Sequence, residues 1–246
     1  MSVKKQGRFT LRIFGFVSLI AVGLVVLVYI NPNPAFACAH RYRGFTVGSD
    51  RPISPSIDNV LDDAIKRLGT SPLYHDGEQF KLYICNNRRR LGFLVFNTSI
   101  GGGAVYGTRN IFVREADIDA NKIISPSGEP LLDAQDRPMS YFIANEATHI
   151  MQFRRYEELA TLQSPFWLVE GYADYIGKGG NFNLAANRKL LNMGDRLLSE
   201  ELGHHGLYRR YHLMVAAQLQ RPGVTIDSLF AAPPSEAEAL RVASTP

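Results

Sequence analysis

The order of patterned segments along the chain predicts an α+β fold. A helix-periodic stretch comes first, alternating strand-like runs follow it, and helical segments fill the C-terminal half. The 246 residues, 46% hydrophobic and 20% charged, are enough for one good core and a small second lobe. No internal repeat is visible.

The N-terminal segment stands apart. Lys4, Lys5, Arg8 and Arg12 precede "IFGFVSLIAVGLVVLVYI", an uncharged apolar run of eighteen residues, and "NPNPAFA" leads from it to Cys38. That length and flanking charge suit a retained transmembrane anchor with its positive end inside. Ala35-Phe36-Ala37 equally suits a signal peptide cleaved after Ala37. A lipoprotein signal at Cys38 is a third alternative, although Ala35 stands where such a motif carries leucine. Each places the body on the extracytoplasmic side, anchored or secreted. The expected division is therefore 1–37, anchor or signal, and 38–246, the body.

Charge excludes one class of partner. Four of the 27 Lys and Arg residues lie in the first 37, and the remaining 23 match the 23 acidic residues. A neutral body offers no electrostatic footprint for nucleic acid. Arg88-Arg89-Arg90 is the one dense basic run, read as a solvated loop. Cys38 and Cys85 either bridge, as an exported protein permits, or stay free with one buried in a strand.

The elements follow in order. In "SIDNVLDDAIKRLG", Ile57, Val60, Leu61, Ala64, Ile65 and Leu68 share one helical face, and Gly69 ends it. "QFKLYIC" alternates Phe80, Leu82 and Ile84 against Lys81 and Tyr83, as a strand does. "LGFLVF" reads as a second short strand, and "GGGAVYGTRNIFV" as an approach to a third ending at Ile111-Phe112-Val113. Gly101-Gly102-Gly103 lacks the G-K-[ST] ending of a phosphate loop and reads as a bend or close approach beside an edge strand. Breakers make 114–138 loop-rich. A helix is expected from about Pro138 to Arg155. Another begins with Ser164 as N-cap and Pro165 in its first turn, stopping near Gly177. "LYRRYHLMVAAQL" is a further helix. The pair His204-His205 reads as a surface loop.

Chemistry concentrates in "FIANEATHIMQF", residues 142–153. On a helix, Asn145 and His149 lie one turn apart on one face, with Glu146 beside them. In H-E-x-x-H that spacing lets two imidazoles grip zinc while the glutamate acts as general base. Here Asn145 occupies the first histidine position. Glu170 follows His149 by 21 positions within "WLVEGYADYI", and Asp174 lies one turn beyond Glu170.

"ANEATHIMQ" followed by "PFWLVEGYADYI" resembles the gluzincins, the thermolysin-type branch of the zincin metallopeptidases. Their pattern is H-E-x-x-H, then W-x-x-E-G-x-A-x-Y on the next helix. The resemblance is strongest over 139–178. It implies a zincin-like α+β domain hydrolysing peptide bonds with metal-activated water. His149 and Glu170 would be zinc ligands, Glu146 the base, and Asp174 an acid orienting the first ligand. Tyr208, Tyr211 or His212 would supply an oxyanion donor.

Asn145 is the departure. Its amide oxygen either fills the first ligand position, better suited to metals harder than zinc, or the amide pairs with Asp174 and no metal binds. Two functions stay open. One is a metallopeptidase with weakened metal binding, its substrate strand lying along an edge strand near Gly103–Val113. The other is an inactive peptidase-like scaffold that binds peptides or cell-envelope partners.

Overall fold

The computed structural model of the chain describes residues 25–96, 100–105, 107–124, 137–179, 182–195 and 204–245, with residues 16, 19 and 23, and excludes the side chains of 204–207. Most of the expected anchor or signal segment lies outside them. Among the described residues, no helix is long and apolar enough to cross a membrane.

The fold is α+β. Strands β1 (Cys38–Tyr42) and β2 (Phe45–Ser49) form a hairpin before the first helix, α1 (Ile57–Leu68). Neither strand was expected, because their alternation is broken by polar and glycine residues. Strand β3 (Phe80–Cys85) pairs parallel to β2, and β5 (Asn110–Arg114) pairs parallel to β3. Strand β4 (Gly102–Ala104) adds antiparallel to β5, so the sheet order is β1-β2-β3-β5-β4 with β4 at the edge. The third expected strand is therefore present as β5. The glycine run supplies the edge strand itself.

Period-two alternation puts a core on each sheet face. Leu82, Ile84, Ile111 and Val113 join the larger core, while Tyr83, Cys85 and Phe112 point to the other. Leu91 and Leu94 close that second face from helix α2 (Arg88–Val95). "LGFLVF" is thus mostly helical and not a strand. Asn87 caps the helix, its side chain accepting from the Arg89 N–H at 2.8 Å, and the two leucines bury one helical stripe. The three arginines begin this helix instead of forming a loop.

Short strands β6 (Ala116–Asp117) and β7 (Lys122–Ile123) pair within the expected loop region. Helices α3 (Met139–Tyr156), α4 (Glu158–Gln163) and α5 (Phe166–Lys178) follow. Pro165 is the N-cap of α5. Ser164 instead donates its hydroxyl to the Ala160 carbonyl at 2.9 Å, closing α4. Helices α6 (Leu184–Asn192), α7 (His204–Leu219), α8 (Ile226–Ala231) and α9 (Glu236–Ser244) complete the lobe. The backbone of His204 and His205 starts α7, so these residues are helical, not loop.

The larger core joins α1, α3, α5 and α7 to the sheet, with Trp167, Tyr172 and Leu168 fully buried. Each such side chain contributes roughly 1.5–3 kcal/mol by leaving water. Both cysteines are free. Cys38 lies on β1 and Cys85 on β3, with β2 between. Two strand spacings of about 4.8 Å exceed the roughly 7 Å limit for a bridge.

Candidate metal and acid–base site

Helices α3 and α5 face one another, and small residues allow the approach. A Cβ on Gly177 would lie 3.3 Å from the Cβ of Asn145 and 2.9 Å from the Tyr141 ring. This packing brings His149 of α3 to Glu170 of α5, with Nε2 3.5 Å from Oε2.

The proton on His149 is fixed by a two-link relay. The Gln152 amide nitrogen donates to the Val169 carbonyl at 3.0 Å. That carbonyl can only accept, so the Gln152 oxygen points the other way, to His149 Nδ1 at 3.1 Å. Nδ1 therefore carries hydrogen, and Nε2 faces the Glu170 carboxylate. A bare lone pair there would be repelled, so Nε2 holds either a proton or a metal ion towards Glu170. Burial alone would lower the His149 pKa, but the Glu170 carboxylate, Glu146 and Gln152 overcome it and raise it to about 9. Glu170 itself is partly exposed, with 19% of its side chain accessible.

Glu146 is buried beside β4. Its carboxylate accepts from the Ala104 backbone N–H. A Cβ on Gly102 would lie 3.2 Å from Glu146 Cγ and 3.3 Å from its Oε1. Glycine thus lets the edge strand pass against the acid. Burial is the main influence on Glu146, and Glu170 adds to it; the His149 charge and the Ala104 bond oppose them. The carboxyl is raised to about 7.

Asp174 is enclosed in a separate network. It accepts from the Tyr141 hydroxyl, and from His212 Nδ1 at 3.0 Å. Lys178 Nζ lies 3.1 Å and an Arg137 nitrogen 3.5 Å away. Burial would raise its pKa, but Lys178, His212 and Arg137 together hold it well below the ordinary carboxylate range. Among the described residues no Asn145–Asp174 hydrogen bond forms, so the structure does not bring this expected pair together.

Of the three oxyanion candidates, Tyr208 feels the charges of Glu170 and Glu146. Burial first, then the charges of Glu170 and Glu146, push its phenol far above the ordinary value. Tyr211 is buried, packing edge-on against Phe166. His212 is buried in the core: Nδ1 donates to Asp174, and its ring stacks on Phe182 at 3.6 Å. Burial lowers its pKa despite Asp174.

Two side chains here have the chemistry to hold a metal, the His149 imidazole and the Glu170 carboxylate, with the neutral Asn145 amide one turn before His149. Among the described residues, no cluster of three or more His, Cys, Asp or Glu has metal-binding spacing. The His149–Glu170 separation nevertheless fits a shared cation. Two donors on a tetrahedral zinc with bonds of 2.0–2.1 Å stand about 3.3 Å apart. A charge-assisted N–H···O bond would draw them to about 2.7–2.9 Å. Gln152 holds the imidazole by Nδ1, as the partner of a metal-ligating histidine would.

Gln152, Lys178 and Tyr141 were not singled out in the sequence. Each lies three or four residues from a site position, so helical periodicity alone could have flagged them. No family model matches the chain, and no curated protein matches it.

Proposed function

We propose that the chain is a zincin-like metallopeptidase whose metal site rests on His149 and Glu170, with Asn145 as a weak third donor. The reading is supported above all by the 3.5 Å His149–Glu170 separation with Nδ1 committed to Gln152. A bound divalent metal would supply Lewis-acid polarisation of a water and a peptide carbonyl. Glu146 would take the proton from that water and pass it to the departing amide nitrogen. A carboxyl at about 7 suits both halves of that exchange. Tyr208 would donate to the carbonyl oxygen as negative charge develops. The outer edge of β4, where Glu146 already holds the Ala104 N–H, would align an extended peptide beside that acid through its remaining main-chain groups. The apolar leader in the sequence supports an extracytoplasmic location for this activity.

Asn145 favours a second reading, an inactive scaffold that keeps the groove and binds peptides. Here His149 is an imidazolium paired with Glu170. Zinc content and affinity separate the two when measured on the native protein, Asn145→His and His149→Ala. Zinc near one equivalent in the native protein, lost in His149→Ala, supports the peptidase. Turnover should then vanish in Glu146→Gln with the fold intact. Zinc only in Asn145→His selects the scaffold. Zinc in neither sinks the site assignment.

A further inference from the structure

We propose that helix α2 is a membrane-contact face that lays Phe93 and Phe96 against an anionic phospholipid surface. Arg89 and Phe93 fall at i and i+4 on one exposed helical stripe, and the exposed C-cap Phe96 joins Phe93 on the side that faces the Tyr29 ring. The opposite stripe, Leu91 and Leu94, is buried on the sheet. Phe93 is 47% exposed and Phe96 83% exposed, a large apolar area to leave in water.

The backbone makes Phe96 more unusual. It caps α2 in the left-handed region at φ 54, where glycine or asparagine is favoured. At 83% exposure it has little packing beyond the Tyr29 ring to offset such a conformation.

Two observations identify what covers the stripe. The first is continuity with the apolar run 13–30. Its helical end, residues 25–30, is fastened to α2: the Tyr29 ring stacks on Phe96 at 5.5 Å, its hydroxyl donates to the Phe93 carbonyl, and its own carbonyl accepts from Asn110 at 2.8 Å. Val26, Leu27 and Ile30 beside it are exposed. A segment apolar enough for lipid thus ends against the two phenylalanines. The second is charge. Arg88 and Arg89 are exposed at the start of α2, so the face pairs aromatic rings with cations, as interfacial helices do. Arg90 is turned inward: it donates to the Ala35 carbonyl at 2.7 Å and pairs with Asp50, tying the linker to the helix. Tyr29 sits where an interfacial aromatic belongs.

The consequence is orientation. A body held at both the leader and α2 cannot swing freely on its linker, so it presents a fixed side to the membrane.

The test uses the full chain carrying Phe96→Trp in vesicles of phosphatidylcholine and phosphatidylglycerol with acyl-brominated phosphatidylcholine. The native Trp167 is buried, 1% exposed, and gives a constant background that also reports folding. Met193→Trp, at a position 71% exposed on the helical lobe, is the control. Phe96→Trp should emit to the blue and be quenched by bromine, while Met193→Trp should not. Adding Arg88→Gln and Arg89→Gln should lower the docked-to-undocked ratio about fivefold per charge in anionic vesicles. A water-like, unquenched Phe96→Trp overturns the proposal. So does a blue shift without bromine quenching, which would mean that protein covers the stripe. Quenching that survives both arginine substitutions undiminished overturns the role given to charge.

Discussion

His149 Nε2 stands 3.5 Å from Glu170 Oε2 while Nδ1 of the same ring is committed to Gln152. Proton and metal therefore compete for one nitrogen. With His149 raised to about 9, a metal must displace a proton at every pH below that value. Zinc affinity should rise about tenfold per pH unit from 7 to 9 and level off above 9. Below 7, where Glu146 also holds a proton, the slope should steepen, because a nearby cation favours the carboxylate. Chelator competition across pH 6–9 measures this, and a flat profile would remove His149 from the metal site.

The metal-free protein should show the complementary trend. The folded His149 pKa lies above its unfolded value of 6.5, so the pair stabilises fully below 6.5. That contribution is lost as pH rises through about 9. His149→Gln should therefore cost stability at pH 6 and progressively less towards pH 10. Urea titrations of both forms with chelator present would read the difference. A gap independent of pH would mean that His149 acts by packing alone.

Asp174 neutralises buried Lys178 and Arg137 and makes no hydrogen bond to Asn145. Asp174→Asn should cost about 3–5 kcal/mol, since it strands charge in the core. Its folded pKa is depressed, so its stabilisation is present above its unfolded value of 3.8 and lost as pH falls below it. The variant should accordingly lose most of the native protein's acid sensitivity. Adding Lys178→Met should recover part of the cost. Metal affinity, measured beside it, should change little; a large loss would tie Asp174 to the ligand shell.

What the sequence disclosed follows from which interactions are local. The meeting of His149 with Glu170 was legible because a helical period fixes which residues share a face, and two helices with matched spacing imply a shared site, whereas Asp174 lies in a separate network. The α1 face and β3 were legible for the same reason. The segment "LGFLVF" was not, because its apolar run fits a buried strand or a short helix equally. Asn87 capping and the Leu91–Leu94 stripe decide between them, and both depend on the sheet underneath. The partners of Asp174 were hidden because Arg137 and His212 arrive from distant segments. The differing surroundings of Tyr208, Tyr211 and His212 were hidden likewise, since only the packed orientation of α7 separates them.

The edge strand gives a test of Glu146. A methyl on Gly102 would crowd Glu146 Cγ at 3.2 Å and the Phe112 carbonyl at 3.3 Å. The side chain is the softer neighbour, so Gly102→Ala should displace Glu146 more than it disturbs the sheet. In whichever form hydrolyses peptide, native or Asn145→His, turnover should fall about tenfold to a hundredfold, as misplacing a catalytic group does. Zinc affinity should remain within about twofold. Equal losses in both would mean that the whole site had shifted and that β4 does not act on Glu146 selectively.

Two glycines on α5 set how closely its neighbours approach, and they should differ in cost. A Cβ on Gly171 would lie 2.6 Å from the Tyr211 carbonyl oxygen, backbone on the facing helix α7. A Cβ on Gly177 would meet the Tyr141 ring at 2.9 Å, and a ring yields more readily than a helix backbone. Gly171→Ala should therefore cost about 3 kcal/mol or more, and Gly177→Ala about 1–2 kcal/mol. The smaller cost carries a sharper signature. Tyr141 is tethered by its hydroxyl to Asp174, so moving its ring should loosen that bond as well as push Asn145 away from α5. Gly177→Ala should consequently weaken zinc binding in the Asn145→His background more than Gly171→Ala does, although it unfolds less easily. Denaturation midpoints and zinc affinities for the two variants would show that reversal. Identical rankings in both measurements would mean that α5 moves as a rigid rod, and that the spacing at Asn145 is not set locally.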